Sequence, residues 1–238
     1  MGAGEVGSNH IVHLTTVHHP RDPRISHKQI PTLEENGFET TLVVSGRPEQ
    51  IPSSLSTVSL PPARSRFQRL MLQGSAYRKA LALDADAYHV HDPELIPLAF
   101  GLRAATGAVV VYDMHEDYYG RQELTGRLLR GLERWCFSWV DHVIVAEQKY
   151  ESILVGESVP YTFVGNYYKP YEEEPPPLLS TTPPWHLLYT GSIANHRGLS
   201  TMLRLAAHLK EMGRSDVMTL VGIYRRAEER RRAERFIR

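Results

Sequence analysis

The stretch YHVHDPELIPLAFGLRAATGAVVVYDMHEDYY, residues 88–119, carries the alternation that decides the fold. Residues 87–91 form a short β-rich run and read as a strand. Pro93–Thr106 reads as a helix, with Pro93 near the first turn, where a missing N–H is no loss. Ala108–Tyr112 (AVVVY) is almost wholly apolar, as expected of a parallel strand covered on both faces. Strand, helix and strand in this span make a βαβ unit.

The same alternation extends outward in both directions. Toward the N-terminus, Ile11–Val17 and Phe38–Val44 read as strands, separated by a helix capped by Ser26 and ended at Gly37. Pro31 is expected to kink that helix or delay its start. Arg64–Leu83 has Phe67, Leu70, Met71 and Leu81 at helical spacing. Toward the C-terminus come a long helix, Leu124–Val140, a strand, His142–Ala146, and a helix near Gln148–Val155. A Pro- and Glu-rich stretch, residues 167–185, is too polar for a core and reads as a linker. The pattern then restarts, with strands His186–Thr190 and Val217–Gly222 around a helix, Leu199–Met212, and a charged terminal helix read as a solvated face. These elements predict an α/β fold. A doubly wound, mainly parallel sheet domain over residues 1–166 is followed by an incomplete second Rossmann-like domain over 186–238.

Bulk composition narrows the function classes. Lys plus Arg and Asp plus Glu number 27 each, so net charge offers no case for a nucleic-acid partner. One cysteine, Cys136, excludes an internal disulfide and suits a reducing compartment. The small, polar first ten residues lack a secretory pattern, and no apolar run is long enough to span a membrane. A cytoplasmic protein is expected. Residues 62–83 are basic without an acid, which adds the expectation of peripheral contact with the inner face of a membrane.

Ligands in parallel sheets bind beyond the carboxyl ends of the strands, and titratable residues crowd there. His18, His19, Arg21, Asp22 and Arg24 follow the first strand; His89, His91 and Asp92 end the 87–91 strand; Asp113, His115, Glu116 and Asp117 follow AVVVY. His91 is the sharpest candidate for proton transfer or for holding an anionic acceptor. His115 could line the same cleft, whereas His89 reads as a support for His91, and His18 and His19 read first as solvated loop residues. A second signal is GSIANHRGL, residues 191–199, between a strand and a helix. Gly191 permits close backbone approach, the helix start offers N–H groups to phosphate, and Arg197 adds a fixed charge. Gly222, after the next strand, hints at a second close approach.

Three segments together are similar to glycosyltransferase family 4, retaining enzymes of the GT-B fold: residues 22–43, residues 88–119 and residues 187–209. The resemblance implies transfer of a sugar, with retention, from a nucleotide-sugar donor to a glycan, lipid-linked or small-molecule acceptor. It implies a catalytic-cleft role for His91, beside which His115 is expected as a second catalytic residue, and donor-diphosphate contacts for Gly191, Ser192 and Arg197. The acceptor-side cleft is expected to hold His18, Arg24, Asp113 and Glu116. No metal or other cofactor is expected for catalysis, because protein cations stabilise the leaving diphosphate. The family's paired-glutamate motif, which holds the donor, lies downstream of residue 238, and Glu172–Glu174 in the linker cannot replace it. Weak or absent turnover is therefore expected of the 238 residues.

Three rival readings stand beside this one. A metal-dependent hydrolase would use His89, His91, Asp113 and His115 as a cluster. A sugar-nucleotide epimerase would share the fold. A non-catalytic binding protein would keep the fold without the chemistry.

Overall fold

The computed structural model describes residues 9–63, 65–114, 131, 134–167, 182–224 and 226–237. The chain forms two compact units, Met1–Lys169 and Pro170–Arg238.

The first unit is built on seven strands: β1 (His10–Thr15), β2 (Glu39–Ser45), β3 (Thr57–Leu60), β4 (Ala87–Val90), β5 (Val109–Met114), β6 (His142–Val145) and β7 (Tyr161–Phe163). They pair in the order β3-β2-β1-β4-β5-β6-β7, and every pair is parallel. The order reverses between β1 and β4, which is the switch point of a doubly wound sheet. Edge strands β3 and β7 are absent from the sequence reading. They have four and three residues and lie beside Pro61 and Pro160, so their β signal is too short to stand out.

Alternation along the strands gives the sheet two unlike faces. One face carries Val12, Leu14, Val43, Tyr88, Val90, Val110, Tyr112, Met114, Val143 and Val145, the main apolar core. It packs against α2 (Arg66–Leu81) and α3 (Ile96–Thr106). Ser65 starts α2 with a capping box: its hydroxyl accepts from the Gln68 N–H, and the Gln68 side chain accepts in return. Gly107, in the left-handed region at φ 76°, closes α3.

The other face is polar where β1, β4 and β5 meet. Registered neighbours place His13, His89, His91 and Asp113 on it. Val109 and Val111 share this face, and Val109 is 48% exposed, so β5 is not apolar-covered on both sides as its sequence suggests. A single helix covers the polar part. It begins at Pro23, makes a π-helical turn over Ile25–Gln29 and continues as α1 (Ile30–Glu35). The wide turn lies just before Pro31, which has no N–H to give, so the helix passes the proline without ending. Ser26 does not cap it. Its buried hydroxyl donates to the Pro20 carbonyl, and Asp22 accepts from the Arg24 and Ile25 N–H groups instead. Ile25 and Ile30 pack on Leu42 and Val44 to hold the helix down. Of the predicted helix Leu124–Val140, residues 124–130 lie outside the described residues, and Phe137–Trp139 is a 3-10 turn. The predicted 148–155 helix is a 3-10 turn followed by α4 (Glu151–Leu154).

The second unit pairs β8 (His186–Thr190) with β9 (Val217–Val221) in parallel. Two helices accompany them, α5 (Leu199–Glu211) and α6 (Ala227–Ile237). The terminal helix is more than a solvated face. Ala233 is fully buried against Ile193, Leu199 and Leu203, and the buried Glu229 carboxylate accepts from the Asn195 N–H. Residues 168–181 of the predicted linker lie outside the described residues.

Candidate active site

At the carboxyl edge of the first unit, the loop after β1 wraps around Asp92. This carboxylate is 1% exposed and accepts from the Thr15 hydroxyl, from the N–H and hydroxyl of Thr16, and from the Val17 N–H. Burial pushes its pKa up, while His18 and the Thr16 N–H pull the other way. His18 stands between two carboxylates, with Nε2 3.6 Å from Asp92 and Nδ1 3.5 Å from Asp22. Burial opposes ionisation of Asp22, but its hydrogen bonds with His18 and the two helix N–H groups outweigh that and hold its pKa at about 2.

A second polar centre lies deeper. Arg24 Nε and Nη2 donate in parallel to the two oxygens of Asp113, each at 2.8 Å, and Arg24 Nη1 donates to the Val164 carbonyl. Gln29 Nε2 donates to the same carboxylate at 2.7 Å. Both members of the ion pair are buried, so the fork geometry compensates the loss of hydration. His91 Nδ1 lies 3.4 Å from Asp113, and His91 Nε2 lies 3.0 Å from His13 Nδ1. Burial, then the neighbouring His89, push the His13 pKa well below its ordinary value, with Asp113 opposing them.

These placements alter several expectations. His91 directly follows β4 at the carboxyl edge, but its side chain is closed in and its two nitrogens face Asp113 and His13. In this conformation it acts on a ligand only through neighbours. Arg24 and Asp113 are likewise buried against each other rather than lining a cleft. Of the residues expected in a hydrolase cluster, His89, His91 and Asp113 share one buried face, with Asp113 held by Arg24 and Gln29. His115 and Glu116 lie outside the described residues. His19 is exposed, as its sequence suggests, but the His18 side chain is only 10% exposed, held between Asp22 and Asp92.

Two depressions open on the same carboxyl edge. One, of about 300 Å³, is lined by Thr16, Val17, His18, His19, Pro20, Ser45, Gly46, Arg47, Gln50, Pro62 and Ala63. The other, of about 580 Å³, lies beyond β6 and β7 and is lined by Glu147, Gln148, Glu151, Phe163, Asn166 and Tyr167, with Ala146 and Gly165. Sequence reading missed Arg47, Gln50 and the β7 loop, because each follows a strand edge whose pairing only the fold reveals. Of the expected cleft residues, His18 lines one of these two depressions.

In the second unit, Gly191 has φ 139°, a backbone geometry that side chains rarely adopt. A Cβ on Gly222 would sit 1.7 Å from the Gly191 carbonyl oxygen. The second glycine is thus explained by close packing of two loops, not by a ligand. The following turn spends most of its donors internally: N–H groups of Gly191, Ile193, Arg197, Gly198 and Leu199 go to backbone carbonyls, and that of Asn195 to Glu229. The expected reserve of free N–H groups at this helix start is therefore small. The Arg197 side chain is exposed on the turn.

Comparison with known proteins agrees with this architecture. The chain aligns with the E. coli trehalose-6-phosphate structure bound with UDP-2-fluoro glucose at a TM-score of 0.65 and 12% identity, covering 95% of this chain and 69% of that one. The apo form of the lipopolysaccharide outer core galactosyltransferase WaaB gives 0.61 and 11%, covering 96% and 71%. A UDP-N-acetylglucosamine 2-epimerase from Rickettsia bellii gives 0.55 and 10%, covering 94% and 64%. At such identities the likeness establishes the GT-B fold, which transferases and epimerases share. No curated protein sequence matches. The family model described as Glycosyltransferase Family 4 matches residues 27–160. That span holds α1, the strands β2 to β6, and Gln29, His89, His91, Asp92 and Asp113 of the polar centres. It covers more than half of the 238 residues, and the chain belongs to Glycosyltransferase Family 4.

Proposed function

We propose that this chain takes part in retaining transfer of a sugar from a nucleotide-sugar donor to a hydroxyl-bearing acceptor, with the acceptor on the first unit and the donor diphosphate on the second. The observation that carries the reading is the crowding of polar side chains and both depressions at one edge of a parallel sheet in a member of this family. The structural neighbour that carries UDP-2-fluoro glucose supports a nucleotide sugar as the donor class. Arg197 is exposed where the donor diphosphate is expected, and Gly191 and Ser192 adjoin it. His18 meets the acceptor at the about 300 Å³ depression, backed by the buried carboxylate of Asp92. His91 is a positioning residue, acting through Asp113 and His13. The leaving diphosphate is stabilised by protein cations rather than by a metal. Turnover by the 238 residues is weak, since the two-stranded sheet leaves Leu188, Val217 and Val221 more than half exposed and offers little enclosure to a sugar. The stereochemistry tests retention. Hydrolysis of the donor with water standing in for acceptor, followed by NMR before the sugar mutarotates, should release the anomer of the donor. Release of the opposite anomer contradicts the reading.

The acceptor or its carrier lies at a membrane surface. On α2, Leu72, Ala76, Tyr77 and Ala80 face the core, while Phe67, Leu70 and Met71 are 69%, 58% and 62% exposed. Arg66 and Arg78 are exposed on the same helix, whereas Arg69 pairs with Glu94 and Lys79 donates to the Ser59 carbonyl. An apolar stripe with basic neighbours suits an anionic lipid surface.

A further inference from the structure

We propose that His13, His89 and His91 form a binding site for a transition-metal ion of the zinc class, beneath the helix that covers the polar face of the sheet. The three imidazoles come from the two strands that meet at the switch point. His13 and His89 are partners in the β1–β4 register, and His91 stands two residues further along on the same face. All three are buried, and one ring nitrogen from each lies within 4.8 Å of the others. The rings lie against one another, with centroids 4.5 to 5.3 Å apart.

The closest pair, His13 Nδ1 and His91 Nε2, are 3.0 Å apart. Two imidazoles on a tetrahedral zinc, with bonds of ~2.0–2.1 Å, hold their nitrogens ~3.3 Å apart. Admitting an ion there asks for a few tenths of an ångström between this pair and a small turn of His89. Asp113 already faces the other nitrogen of His91 at 3.4 Å, and Arg24 and Gln29 fix that carboxylate. A carboxylate behind a ligating imidazole is the usual outer support of a metal site, and it leaves His91 to ligate through the nitrogen that faces His13.

A hydrogen-bonded histidine cluster alone accounts less well for the same residues. Among the described residues, His13 Nε2 is buried with no hydrogen-bond partner, a cost that packing by itself does not explain. Three imidazole ligands favour Zn²⁺, Cu²⁺ or Ni²⁺ over the oxygen-seeking Mg²⁺ and Ca²⁺. Such an ion would pin β1 to β4 under the covering helix. The three histidines belong to the first unit and Arg197 to the second, so zinc binding can be scored whether or not the transferase reading holds.

The experiment uses the full, tag-free chain after treatment with a chelator. Zn²⁺ is titrated by calorimetry, Co²⁺ by visible absorption, and the histidine side chains are followed by long-range nitrogen NMR. One equivalent of Zn²⁺ should bind, Co²⁺ should give the intense bands of a four-coordinate site, and three of the 12 histidines should shift. His13→Phe, which keeps the buried volume, should weaken binding by more than about 100-fold, beyond the effect of losing an outer support. If His13→Phe fails to fold, His89→Gln and the wild-type NMR pattern decide. Absence of Zn²⁺ binding, unchanged affinity in a folded variant, or shifts confined to other histidines would overturn the site.

Discussion

Asp22 and Arg24, two residues apart, tie the loop after β1 to different layers of the molecule. Asp22 caps the covering helix through the Arg24 and Ile25 N–H groups. Replacing it with Ala should cost about 0.5–2 kcal/mol at neutral pH in chemical denaturation. Its folded pKa of about 2 lies below the ordinary 3.8, so the stabilisation is present above 3.8 and lost as pH falls through about 2. The gap between wild type and Asp22→Ala should therefore narrow between pH 4 and pH 2, and a constant gap would contradict the assignment. Arg24 neutralises a carboxylate that water does not reach. Arg24→Met should destabilise by about 3–5 kcal/mol, and Arg24→Met with Asp113→Leu should recover much of it, because an unpaired buried charge costs more than an apolar pair. Loss of less than about 1 kcal/mol in the single variant would mean that the pair is not closed to water. The sequence marks these residues as chemically unusual but not as partners, since 89 positions separate Arg24 from Asp113.

At the scale of elements, alternation alone predicts β1, β2, β4, β5, β6, β8 and β9 and the helices between them, because each buries a periodic apolar face. What it cannot supply is the layer that covers each face. The charged residues around His91 read as a cleft, yet the helix starting at Pro23 lies over them and turns them inward. Conversely, Phe67, Leu70 and Met71 have core-like spacing but project outward, because the smaller Ala76 and Ala80 let α2 approach the sheet on its other side. That exposed stripe makes its own prediction. Flotation with vesicles containing anionic lipid should carry the wild-type chain, and Phe67→Ser with Met71→Ser should reduce the bound fraction severalfold without changing the circular dichroism spectrum. Equal flotation of the variant would assign membrane contact elsewhere.

Across the whole chain, the parallel order of seven strands and the family match agree on a glycosyltransferase of the GT-B fold. The sequence points to the carboxyl edge, where the depressions open, and to the 191–198 turn, on which Arg197 is exposed. The depth of His91, Arg24 and Asp113 was not legible, because burial depends on contacts between distant segments. Donor recognition is the claim on which the functional account rests, and it is open to direct measurement. Calorimetric titration of UDP, GDP and their sugars into the 238-residue protein should show one nucleotide class binding, and Arg197→Ala should weaken it by about tenfold or more, as expected for loss of a charge-assisted contact to a diphosphate. Equal affinity of Arg197→Ala and wild type for that nucleotide would contradict the placement of the donor diphosphate on this turn.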